Sequence, residues 1–198
     1  MKLLLLRCPV CSEPLKPADR DVVLACDTCL NPISIDNQGI KQTEVHYGVP
    51  TQPEMVSLWL PFWVFHGRVN IQSRTTQGRN KRAYQASQAM WSQPRYLFVP
   101  AWELPMHQTR HLGGRLIQGQ PVWQEGERLS DTPFTAVNVP KKDAKKLLEL
   151  TILTMEAERK DWLKEFWFTV EAPAPALWIL PAQTGRGEKI ELLAKVQS

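Results

Sequence analysis

Leu58-Trp59-Leu60-Pro61-Phe62-Trp63 sets a pattern that returns twice, at Leu97-Phe98-Val99-Pro100-Ala101-Trp102 and at Trp178-Ile179-Leu180-Pro181-Ala182-Gln183. Each unit is three large apolar residues, a proline, and then a small or aromatic residue. An unbroken apolar run of this length suits a strand buried on both faces. A proline removes one ladder donor and belongs at a strand end, an edge or a bulge. Three similar strands in one sheet are therefore expected, each bent or ended at its proline.

Between the first two units lies His66 to Gln88, which is polar and basic. Arg68-Val69-Asn70-Ile71-Gln72 alternates like a half-exposed strand, and the rest reads as a mobile hairpin or loop around Gly78. Arg68, Arg74, Arg79, Lys81 and Arg82 place five cations in fifteen residues, with Trp63 and Tyr84 as aromatic flanks. Such a segment can track a phosphate backbone while a ring stacks on a base, or it can be a solvated hairpin.

After the second unit, Gly113-Gly114, Gly119, Pro121 and Gly126 read as turns between short strands. His107 and His111 stand four apart, but Pro105 and the paired glycines argue against a sustained helix there. Residues 140 to about 160 are the expected main helix. Pro140 suits the first turn, and Ala144, Leu147, Leu148, Ile152 and Met155 form the stripe that packs on the sheet. Phe166 to Val170 reads as a strand, and Gly185-Arg186-Gly187 as a turn before the last apolar stretch.

Toward the amino terminus, Cys8-Pro9-Val10-Cys11 and Cys26-Asp27-Thr28-Cys29 are two C-x2-C pairs fourteen residues apart. Two residues between thiolates let one tight turn aim both sulfurs at a single ion, and a hairpin brings the second turn opposite the first. Four thiolates leave no coordination position for water, so the expected metal, Zn2+, is structural rather than catalytic. Iron in a rubredoxin-like site is the rival. The glycine that usually follows the second cysteine of a rubredoxin pair is absent, with Ser12 and Leu30 in its place. A strand before Cys8, strands near Val22 to Ala25 and Ile33 to Ile35, and a hairpin turn at Asp36-Asn37-Gln38-Gly39 complete the unit.

On Cys8, Cys11, Cys26 and Cys29 this segment resembles the zinc ribbons of transcription factors, ribosomal proteins and small bacterial proteins. That resemblance implies a rigid knob that contacts protein or nucleic acid. The expected fold class is α+β: a zinc ribbon at 1–45, a linker at 46–55, and at 56–198 a mostly antiparallel aromatic-rich domain with one main helix.

The 198 residues hold 24 basic and 20 acidic side chains, for a formal charge of +4, too mild by itself to indicate a nucleic-acid binder. No stretch approaches the roughly 18 apolar residues of a membrane helix. A cytoplasmic setting is expected, where cysteines stay reduced and available to metal. Five of eight tryptophans, Trp59, Trp63, Trp91, Trp102 and Trp123, lie between 59 and 123. They make either a heavy core or a contact surface. No G-x-S-x-G, phosphate-cradling glycine loop or H-E-x-x-H occurs. The function expected is a non-enzymatic zinc-binding adaptor or structural subunit with a protein partner. The alternatives are nucleic-acid binding through the ribbon and residues 68–82, and electron transfer by iron.

Overall fold

The ten strands among the described residues divide into a small sheet and a large one, as the change from cysteine pairs to apolar units requires. The computed structural model describes residues 6–78, 81–127, 133–185 and 190–197. The small sheet is β1 (Val23–Ala25), β2 (Pro32–Asp36) and β3 (Gly39–Gln42), antiparallel in that order. Asp36 pairs with Gly39 across the expected tight turn, where Gly39 has φ 125° and the Asp36 carboxylate accepts the Gln38 amide at 2.8 Å.

The large sheet holds β4 (His46–Gly48), β5 (Leu58–Thr76), β6 (Arg95–Pro100), β7 (Glu125–Gly126), β8 (Leu163–Glu171), β9 (Ala176–Thr184) and β10 (Ile190–Leu192). Its order is β6-β5-β9-β4-β7, with β8 also on β5 and β10 also on β9. Among the described residues only β4 and β9 run parallel. The class is α+β and mostly antiparallel. Among the described residues it carries three helices, α1 (Lys81–Trp91), α2 (Met106–Gly119) and α3 (Lys141–Ala157), the last being the expected main helix.

The three proline units are indeed adjacent strands, β6, β5 and β9. Pro61, however, sits inside β5 and Pro181 inside β9; only Pro100 ends its strand. The Pro61 carbonyl accepts the Ala101 amide, so its missing donor faces Ala101, just past the end of β6. The Ala101 carbonyl, which a continuous ladder would bond to residue 61, accepts the amides of Asn138 and Val139 instead. By the same alternation Pro100 faces the outer edge of β6, and Pro181 faces the Leu193 side of β9. No internal ladder bond of the sheet is lost.

β5 is 19 residues long, and β9 and β8 line it end to end, at 58–64 and 68–76. Between them three residues of β5 oppose the four-residue break Ala172-Pro173-Ala174-Pro175. Gly67 faces that break. A Cβ there would lie 2.2 Å from the Glu171 carbonyl and 2.8 Å from Ala172 Cα, so only glycine fits. A second irregularity, between Ile71 and Ser73, shifts the β5–β8 register. Strict alternation would put residue 74 with Arg68 on the outer face. The bulge turns it inward instead.

Two loop expectations are overturned. Residues 81–88, expected in a mobile loop, belong to α1, which runs on to Trp91 and buries Ser87 and Trp91. Gly113 and Gly114 lie within α2 and are both buried. A Cβ on Gly113 would come 2.9 Å from the Phe98 carbonyl of β6, so these glycines allow a close helix–sheet approach rather than a turn. Residues 46–55 contain β4 and a 3-10 turn at Pro53–Met55. α3 follows Pro140 and buries Ala144, Leu148, Ile152 and Met155 as expected. The expected turn at residues 185–187 falls largely outside the described residues, as does most of the strand before Cys8.

Candidate metal centre

The two cysteine turns are built alike. Ser12 donates its amide to the Cys8 carbonyl at 2.9 Å, and Leu30 donates to Cys26 at 2.8 Å. The Cys8 amide reaches Glu13 O at 2.8 Å, and the Cys26 amide reaches Asn31 O at 3.0 Å. Ser12 and Leu30 share a left-handed backbone, with φ of 64° and 60°. That is the conformation a glycine would supply. Ser12 and Leu30 thus adopt without glycine the turn that a rubredoxin pair builds with it, at a steric cost.

The turns bring all four sulfurs within 4.8 Å of one another, with Cys8–Cys29 and Cys11–Cys26 each at 3.6 Å. A tetrahedron of thiolates at about 2.3 Å from zinc has edges of about 3.8 Å, so the donor set fits such an ion. Cys8 and Cys26 are buried, whereas Cys11 and Cys29 are partly open. The Val10 amide points at the Cys8 sulfur at 3.4 Å, a contact that favours thiolate.

Among the four thiols alone, protons divide unevenly. At Cys29 burial acts upward, but hydrogen bonds from Asn31 and from the Cys11 and Cys8 thiols overcome it and bring the group down to about 6. At Cys11 the Glu13 backbone contact acts downward, while burial and bonds to Cys29, Cys26 and Cys8 push it up to about 12. Four sulfur donors fill a tetrahedral shell, so a metal held by all of them offers substrate no open position.

This unit is fastened to the segment that precedes α3. Val22 donates to Val137 O at 2.8 Å and Val137 donates to Val23 O at 2.7 Å. Asn138 reaches the Asp21 carboxylate at 2.7 Å, and Val23 and Ala25 are buried with the main core. The small sheet thus shares a hydrogen-bonded seam with residues 137–138, a segment tied in turn to β5 by the Thr135 amide on Trp59 O and to Ala101 O by the Asn138 and Val139 amides.

The basic segment does not form one surface. Arg68 and Tyr84 are exposed, as are Lys81 and Arg82, but Arg74 and Trp63 are inside. Trp63 is 7% exposed and donates to Val139 O at 2.8 Å. Arg79 lies outside the described residues. Arg74 joins a buried ionic cluster that sequence reasoning missed. Its guanidinium spans Asp161 and Glu156, and Glu156 also accepts Trp91 Nε1 at 2.8 Å and Arg159 Nε at 2.7 Å. The Arg74 guanidinium holds the Asp161 carboxyl below the usual carboxylate range.

His107 and His111 stand exposed on α2 and line a hollow of about 360 Å³ with Arg110, Arg115 and Glu158. Among the described residues they join no cluster of metal-ligating groups; the cysteine quartet is the one such group. The five tryptophans between 59 and 123 are all buried, so their density is core. Trp162 and Trp167, in contrast, are 77% and 60% exposed.

Comparison with family models, curated proteins and solved structures yields no match for this chain. Among the described residues no helix is long and apolar enough to cross a membrane.

Proposed function

We propose that this chain is a non-catalytic adaptor, a zinc-stapled ribbon fused to a rigid sheet, which docks a protein partner on the surface around Trp162 and Trp167. The observation that carries the reading is the contrast among the tryptophans. Those of the expected aromatic cluster serve the core, while Trp162, just before β8, and Trp167, at the middle of β8, leave large apolar rings in water. Tryptophan is enriched at interface anchors, where ring burial supplies much of the binding energy.

The four cysteines support a structural metal. Their donor set and spacing suit zinc in a closed shell, and a reducing compartment such as the cytoplasm keeps such thiolates available. Iron would be held by the same sulfurs, and metal analysis of colourless or red protein separates the two. Nucleic-acid binding through residues 68–82 is not adopted, because Arg74 and Trp63 spend their contacts inside the fold.

The test is capture of native partners by the wild-type chain and by the W162A/W167A variant. Retention of a defined protein that the variant loses, with the melting temperature unchanged, supports the adaptor reading. Equal capture by both removes it.

A further inference from the structure

β8 pairs with β5 from Leu163 to Glu171, and among the described residues no other backbone hydrogen bond reaches 163–171. Nine residues of sheet edge are thus open. Natural proteins protect such an edge with proline, inward charges, or a covering helix or loop. β8 contains no proline, its charges (Lys164, Glu165 and Glu171) stand toward its two ends, and the run Phe166–Val170 between them is uncharged, with Trp167 and Thr169 on the exposed face beside Glu165. The opposite edge strand, β6, shows the usual protection: it ends at Pro100 and lies under α2.

We infer that β8 pairs edge to edge and antiparallel with β8 of a second copy of this chain, about a two-fold axis through Trp167. The inference rests on the reading of the Trp162–Trp167 surface as an interface and gives it a partner. The register follows from faces and charges. A two-fold normal to the sheet matches like faces, so the axis must pass through a residue rather than between two.

Centred on Trp167, the pairing sets Glu165 opposite Thr169 and Phe166 opposite Phe168, with the two Trp167 rings meeting at the axis. The aromatic ladder this makes extends the stacking already present between Phe166 and Phe168, whose ring centroids lie 4.9 Å apart. Centred on Phe168, the pairing would set Glu165 against Glu171, like charges directly opposite. Centred on Phe166, it would shorten the ladder and set the charged Lys164 opposite Phe168 in place of the aromatic pair.

At their present exposure the four tryptophans of a pair would cover roughly 500 Å². That is well below the about 1,200 Å² at the lower end of specific interfaces, so the dimer should be weak and concentration-dependent.

The test is sedimentation equilibrium of the full, metal-loaded chain from low to high micromolar concentration. A rise from one chain mass to two is expected. T169E sets two carboxylates opposite each other across the axis, and this variant should stay monomeric while keeping its circular dichroism spectrum. E165K/T169E sets opposite charges at the same place and should dimerise again, a rescue that unspecific association would not give.

W167K opposes two cations at the axis and should also be monomeric. A native chain that is monomeric throughout, a dimer indifferent to T169E, or a double variant that fails to recover would each overturn the pairing. A monomer that still captures a protein through Trp162 and Trp167 overturns self-pairing alone; loss of that capture is what fails the adaptor reading.

Discussion

The guanidinium of Arg74 and the carboxylate of Asp161 meet through two parallel hydrogen bonds, at 2.5 and 3.0 Å, with each side chain 1% exposed. Glu156, fully buried, takes a third bond from Arg74 Nε at 3.0 Å. Removing Arg74 would leave two carboxylates without their shared cation in a water-poor site. Arg74→Ala should lower unfolding free energy by about 3–5 kcal/mol, measured by urea denaturation. Asp161→Asn, which keeps the shape and part of the hydrogen bonding, should cost less.

The same pair sets an acid limit. The native carboxyl of Asp161 is depressed, so the unfolded chain binds its proton more readily. The stability this supplies is complete above the ordinary carboxylate value of about 3.9 and is lost as pH falls through the lower native value. Urea midpoints should therefore drop steeply below about pH 4. In Asp161→Asn that part of the slope should vanish, and an unchanged slope would exclude Asp161 as its source.

Metal removal should act beyond the cysteines. Binding to thiolates releases protons and supplies folding energy, so a strong chelator should lower the melting temperature and unfold the ribbon first. Because Val137 donates to Val23 O and Val22 donates to Val137 O, both amides should lose hydrogen-exchange protection on chelation. The Ala101 amide, bonded to Pro61 O within the large sheet, should keep its protection.

Gly67 tests the break in the strand opposite β5. A methyl group there meets the Glu171 carbonyl at 2.2 Å and the Ala172 Cβ at 2.5 Å, and backbone cannot rotate away as a side chain can. Gly67→Ala should destabilise by about 3 kcal/mol or more, at the upper end of overpacking costs. Gly113→Ala, with its closest contact at 2.9 Å, should cost less.

Ser12 and Leu30 hold left-handed backbone that costs an L-residue about 1 kcal/mol or more. Ser12→Gly should recover part of that cost and tighten metal binding by roughly fivefold, read by competition with a chromogenic chelator. No change in affinity would mean that the turn is not strained.

The metal turns, the α3 stripe and the three apolar strand units were legible in the chain because each depends on spacing over a few residues. Two thiolates separated by two residues converge whatever surrounds them, and a stripe at three and four spacing selects a helix face locally. Other features had no local signal. The bulge between Ile71 and Ser73 turns Arg74 toward Glu156 and Asp161, more than eighty residues away in sequence. Read with strict alternation, that arginine joined Arg68 on a basic surface.

Gly113 and Gly114 read as a turn because their use, a close approach of α2 to β6, depends on a strand that the helix itself does not contain. The tryptophans are alike as letters, yet five fill the core and two stand in water. Residue spacing determined the ion-gripping turns and the apolar strands and helix of this protein. Which side chains face inward, and which sheet edge stays open, was decided only by the tertiary structure, because a one-residue register shift reverses a strand's faces and only distant packing selects that shift.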